Sequence, residues 1–157
     1  MAIVDVRIDD RLIHGQVCGF WVPHNSVDKI LVVDNQIVND DIRKTALHFG
    51  CPEGVKLSIL NAKTAADKLK RNLDQGSNVM ILCNSPEPLL EMVKEGYVIK
   101  KITIGNMSNK KDTRSVKNTV FVSNKDIEDF KQLAQYGVKL MAQMVPNESP
   151  IDLLTLI

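Results

Sequence analysis

At 157 residues the chain has the length of one ordinary domain, enough to bury about two-thirds of its unfolded surface and so to fold without disulfides or a structural metal. Its 20 lysines and arginines nearly cancel 19 aspartates and glutamates, which excludes the strongly basic footprint of a nucleic-acid binder. Aromatic residues make up only 4%, too few for a base-stacking surface.

The chain opens on "AIVDVRI" (2–8), which reads as a first strand. A loop, "DDRLIHG" (9–15), follows, and a short helix is expected to start near Gly15 or Gln16. "KILVVD" (29–34) is the second strand, and "NDDIRKTALHFG" (39–50) a helix capped by Asn39 and ended by Gly50. "VKLSIL" (55–60) is the third strand, and "NAKTAADKLKRNLDQG" (61–76) a helix from Asn61 to Gly76. "NVMILC" (78–83) is the fourth strand; "SPEPLLEMVKEG" (85–96) has a Ser85 cap, Pro86 at the first helical position and a Gly96 stop. "KITIG" (101–105) is the fifth strand. The polar stretch "NMSNKKDTRSVKN" (106–118) is not helical and leads to a sixth strand, "TVFVS" (119–123). Without a crossover helix before it, that strand is free to run antiparallel. "NKDIEDFKQLAQYG" (124–137) is a last helix and "VKLMAQMV" (138–145) a seventh strand. Continuously apolar strands alternating with helices predict a single α/β domain over 1–157: one open, mostly parallel sheet of about seven strands with helices on both faces.

The cysteines Cys18, Cys51 and Cys83 are distant and odd in number, without a CxxC pair. They predict buried free thiols, with no disulfide framework, metal or cofactor. No basic N-terminal region precedes a long apolar segment, and no apolar run reaches the ~20 residues of a bilayer span. A cytoplasmic protein is expected.

The loop after the first strand concentrates chemistry. Ligands of open α/β sheets bind beyond the carboxyl ends of strands. A helix start there offers backbone N–H groups to an anion. Arg11 adds a fork matched to phosphate oxygens, Gly15 permits close approach, and Gln16 adds an amide. His14 in their midst is a nucleophile near neutral pH, able to form a phosphohistidine. Asp9 or Asp10 could hold its other nitrogen. Each residue also has a plain reading: a polar loop histidine, a surface arginine, helix-capping carboxylates, a turn glycine.

"RIDDRLIHGQV" (7–17) closely resembles the signature of the IIB components of the bacterial sugar phosphotransferase system, mannose/fructose/sorbose family. "ILVVDNQIVNDDIRK", "CPEGVKL", "SPEPLLEMVKEGYVIKKITIGNM" and "YGVKLMAQMVPNESP" keep the family's order, so the resemblance covers the whole chain. It implies a phosphocarrier. His14 would take a phosphoryl group, on its δ nitrogen, from the phosphohistidine of a IIA partner. The group would pass to a sugar held by the membrane components IIC and IID, with the protein peripheral to them. Arg11 is implied as phosphoryl ligand, with Asp9, Asp10, Gly15 and Gln16 in support. A homo-oligomer is open. Asn35, Thr103 and Asn106 stand where the family pattern has Asp, Asn and Gly.

Around this motif, Trp21 reads as core or as part of a partner surface, and Leu12 and Ile13 as exposed apolar residues beside the histidine. His24 and His48 read as structural or solvated. Lys110, Lys111 and Arg114 read as a solvated loop or an acidic-partner contact. Three rival functions stand beside the carrier. A two-component receiver lacks its acceptor aspartate in "LSILNAK" and its lysine in "TIGNM". A nucleotide-binding enzyme lacks a glycine-rich phosphate loop. A IIB-like regulatory module that reports phosphorylation by binding a partner would keep the same histidine.

Overall fold

The computed structural model describes residues 2–72 and 76–157. Among the described residues the strands are β1 (Ala2–Asp9), β2 (Lys29–Val33), β3 (Lys56–Leu60), β4 (Asn78–Cys83), β5 (Lys101–Asn106), β6 (Arg114–Lys117), β7 (Val120–Val122), β8 (Lys139–Ala142) and β9 (Ile151–Asp152). Seven of them form one sheet in the order β3-β2-β4-β1-β5-β8-β9. Every pairing is parallel except β8 with β9. β2 and β4 are apolar along nearly their whole length because both faces are covered: Ile30 to Val33 and Val79 to Cys83 are essentially inaccessible.

The chain is helical from residue 15 to 24. It is wound as a π-helix over Val17–Trp21 and as an α-helix, α1, over Val22–His24. The longer helices are α2 (Asp41–Gly50), α3 (Ala62–Lys70), α4 (Glu87–Lys94) and α5 (Asn124–Gln135). Apolar residues of α3, α4 and α5 meet one sheet face. Val17, Trp21 and Val22 meet the other, against Ile30, Val32, Met80 and Leu82. No β5 or β8 residue belongs to that second cluster, so β1-β5-β8 keeps a polar strip on this face. β1 is the strand that divides the two regimes. Val6 and Ile8 enter the first core cluster, while Arg7 and Asp9, alternating with them, face the side of the π-helix.

Several expectations change. Residues 119–123 do not add a strand to the main sheet. Val120–Val122 pairs antiparallel with Arg114–Lys117 in a separate ribbon closed by a two-residue turn, and Val120 and Val122 are buried in the first core cluster. The seventh place in the sheet goes to β9, which is only two residues long and has no apolar pattern. The strand expected over 138–145 ends at Ala142, because the segment then turns to receive Arg7. Caps shift by one residue: Asp40, not Asn39, accepts from Arg43 N at 3.1 Å. Ser123 with Asp126 forms a reciprocal capping box on α5. Ser85 makes no capping bond on α4, where Pro86 occupies the cap. Asn61 does cap α3, accepting from Thr64 N at 2.7 Å. α3 ends at Lys70, and residues 73–75 of the longer helix expected there lie outside the described residues. All three thiols are free, but only Cys83 is buried; Cys18 and Cys51 are half-buried.

Candidate functional site

The chain leaves β1 toward β2 on one face and leaves the adjacent β4 toward β5 on the other. This divergence opens a crevice at the carboxyl end of β1. A register shift against β5 between Ile8 and Asp9 ends the regular pairing there. A tight turn follows, with Leu12 N donating to Asp9 O at 2.9 Å. Leu12 takes the left-handed conformation, φ 57°, which costs a leucine about 1–2 kcal/mol. Its side chain is buried in the second core cluster, which offsets the cost and contradicts the expected exposed position. Ile13 is half-buried and lies against Gly50 at the end of α2.

This turn brings His14 back over Asp9. Nε2 lies 2.8 Å from Asp9 Oδ2. The carboxylate sits off the ring N–H direction, so the pair is a close polar contact rather than an aligned hydrogen bond. On the other side of the ring, Nδ1 accepts from Gln16 N at 3.3 Å, and His14 O accepts from Cys18 N at 2.9 Å. His14 therefore occupies the capping place of the helix, with its imidazole standing where a serine or aspartate oxygen usually stands. An Nδ1 that accepts carries a lone pair, which places the ring proton on Nε2, the nitrogen nearer Asp9.

Asp9 is almost wholly buried and also accepts from Arg11 N at 3.0 Å, with Arg11 Nε 3.5 Å away. Arg11 Nη2 donates to Gln16 Oε1 at 2.8 Å. The Arg11 side chain remains 44% exposed, so its fork hangs at the mouth of the crevice. The Gln16 side chain thus orients Arg11 as an acceptor, while its backbone N–H meets His14. Around Gly15 a Cβ would meet nothing within 4 Å, so the space before the helix start is open.

Asp10 departs from the expected grouping. It turns away from His14 and ties down the loop after β5, accepting from Asn106 Nδ2 at 2.7 Å, Ser108 N at 2.6 Å and Ser108 Oγ at 3.0 Å. Lys110 Nζ is 3.7 Å from it. Asn106 thus has a structural task at its variant position. Asn35 has another, bridging Ala62 N at the start of α3 to Glu91 of α4. Thr103 is buried on β5 opposite Arg7. His24 and His48 are exposed and Trp21 is buried, in keeping with their plain readings.

One residue of the quoted motif carries more than its sequence suggested. Arg7 is 1% exposed in the middle of β1. Its Nη2 donates to Gln143 O and Met144 O, both at 2.9 Å, and the guanidinium lies 3.9 Å from the Trp21 ring centroid. Trp21 Nε1 donates to the same Met144 O at 2.9 Å. Arg7 Nε and Nη1 have no hydrogen-bond partner among the described residues. Burial brings its pKa down to about 10, against the pull of Asp5, Asp9 and Glu148, so it stays charged at neutral pH. The only sequence signal was a guanidinium interrupting an apolar strand.

The family model for the PTS system sorbose subfamily IIB component matches residues 3–157. The sorbose-specific EIIB component of Lacticaseibacillus casei is 34% identical over 98% of this chain and 94% of its own length. The mannose-specific EIIAB component of Escherichia coli (strain K12) is 33% identical over 100% of this chain, which spans 49% of that longer protein. The crystal structure of the IIBSor domain of the sorbose permease from Klebsiella pneumoniae superposes with a TM-score of 0.92 at 30% identity, over 99% of this chain and 95% of that one. Fold, motif and relatives agree: the chain belongs to the IIB components of the mannose/fructose/sorbose family of the sugar phosphotransferase system.

Proposed function

We propose that this IIB chain acts as one phosphohistidine carrier domain, with His14 Nδ1 as the acceptor. The observation that carries the reading is the orientation of the ring, with Nε2 against Asp9 and Nδ1 toward Gln16 N at the open helix start. The Nδ1 lone pair attacks phosphorus of a IIA phosphohistidine. A new N–P bond forms as the donor N–P bond breaks, and that electron pair returns to the donor ring. His14 keeps its Nε2 proton and gains positive charge, which the Asp9 carboxylate offsets. The phosphoryl oxygens then take the place of Nδ1 as acceptors of Gln16 N–H, and Arg11 is within side-chain reach to share their charge. Such transfer rests on positioning and charge stabilisation, which these groups supply.

In the second half-reaction the phosphoryl group goes to a sugar bound by IIC and IID, with this cytoplasmic chain peripheral to them. No helix among the described residues is long and apolar enough to cross a membrane. The relative named EIIAB supports a IIA partner. The test is His14→Ala incubated with phosphorylated IIA. Loss of stoichiometric label with an unchanged fold is expected; label retained at another residue overturns the assignment.

A further inference from the structure

A cavity of about 470 Å³ lies far from His14, between the amino-terminal halves of β1 and β5. It opens on the polar strip that no helix among the described residues covers, beside the end of the helical segment. Asp5, Trp21, Asn25, Lys100, Lys101 and Thr103 line it. Asp5 and Asp9 are four residues apart on one strand, roughly 13 Å, so this is not the His14 crevice. Its volume suits a small ligand.

The charges restrict what that ligand is. Asp5 has a weak hydrogen bond, from Asn25 Nδ2 at 3.5 Å. Burial pushes its pKa up, while Arg7, Lys101 and His24 pull it down. Burial outweighs these basic neighbours, which leaves the carboxylate short of hydrogen-bond donors. A hydroxyl can still donate to the carboxylate and accept from Asn25 or Thr103. Lys100 and Lys101, both exposed at the start of β5, leave the mouth positive. We propose that the cavity binds a small hydroxylated anion of the phosphate-ester class, its hydroxyls on Asp5 and Asn25 and its anionic end on Lys100 and Lys101.

Trp21 is the chain's single tryptophan and lines the cavity, so its fluorescence reports occupancy directly. The intact, unphosphorylated chain is titrated with glucose 6-phosphate, with glucose and with inorganic phosphate, and amide shifts of Asn25 and Thr103 are followed by NMR. The inference predicts a saturable response to glucose 6-phosphate and at least tenfold weaker binding of either fragment. Asp5→Asn and Lys101→Gln should each weaken binding by about tenfold, the loss of one charged contact, and His14→Ala should leave it unchanged. No phosphodonor is present, so failure of the carrier reading does not alter this outcome. Lys101 is exposed, and its variant stays informative even if Asp5→Asn does not fold. Absence of saturation, equal binding of inorganic phosphate alone, or binding lost with His14→Ala overturns the proposal.

Discussion

Arg11 and Arg7 put the same guanidinium to opposite uses. Arg11 is half-exposed, its side chain held among the described residues by Asp9 and the Gln16 side chain. Arg11→Ala should slow phosphoryl transfer by about 10²–10³-fold, the size of removing one charge-stabilising donor, while thermal unfolding changes by less than about 0.5 kcal/mol. Arg11→Lys should restore part of the rate, because the charge returns without the fork. Rapid-quench transfer from phosphorylated IIA and a melt of each variant measure the two effects. Arg7 is walled in, and Gly105 is the residue that admits it. A Cβ at 105 would lie 2.4 Å from Arg7 Nη2. Gly105→Ala must displace the guanidinium from two carbonyls and from Trp21, costing about 1–3 kcal/mol in a denaturant titration. The His14–Asp9 pair was legible only as a choice between two carboxylates. Asp9 still keeps the strand's alternation and faces the helix, whereas Asp10 lies past the end of β1 and turns to the β5 loop. Nothing in a linear reading tells where the last strand residue falls.

At the level of elements, the segment after β8 is held by one acidic side chain. Glu148 accepts from Lys117 Nζ at 2.5 Å and from Met144 N at 2.6 Å, and its carbonyl accepts from Gln143 Nε2 at 2.9 Å. These bonds fix the two carbonyls that receive Arg7 and tie them to the β6–β7 ribbon. The Lys117 bond, helped by Met144 N–H, holds the Glu148 pKa below its ordinary value. The folded chain therefore binds fewer protons here than the unfolded one. The stabilisation is full above the unfolded carboxylate pKa, ~4.3, and is lost as pH falls through the folded value. Asp5, with its raised pKa, works in the opposite sense. Glu148→Gln should melt lower than the parent at neutral pH, and the gap should close in acid, as pH-dependent calorimetry would show. The strands buried on both faces, β2 and β4, could be read from apolar runs alone. The β6–β7 ribbon could not, because three of the four β6 residues are polar and its pairing is decided by where Val120 and Val122 find cover.

On the scale of the whole molecule, the two sheet faces do different work. Three helices shield one, and the other is shared between the π-helical segment, Ile37, Leu47 of α2 and an open polar strip. The His14 loop stands at the rim of that second face, reachable from solvent at Gly15 and Arg11. The proposed carrier role requires this access, since the histidine would have to meet a donor protein and then an acceptor. The chemical identity of a phosphorylated chain would follow from which group of this loop accepts the phosphoryl. A phosphoramidate on His14 should be labile in acid and comparatively stable in base, whereas an acyl phosphate on Asp9 or Asp10 would be lost in base. Labelled protein treated in parallel at both extremes separates them, and a base-labile product would remove His14 from the pathway.

The π-helical turn Val17–Trp21 has a consequence for how the chain tolerates changes in length. Val22 N reaches back five residues, to Val17 O, as in an α-helix that has taken in one extra residue. Such an insertion is reversible. Gly19 has open space around its Cβ position, and deleting it should let the turn close as ordinary α-helix with His14 and Trp21 on either side still in phase. The shortened chain should melt no lower than the parent and keep the Trp21 emission maximum. Removal of Lys131 from the regular α5 should instead rotate every later helix residue by about 100°, carry Leu133 out of the core and sharply lower the melting temperature.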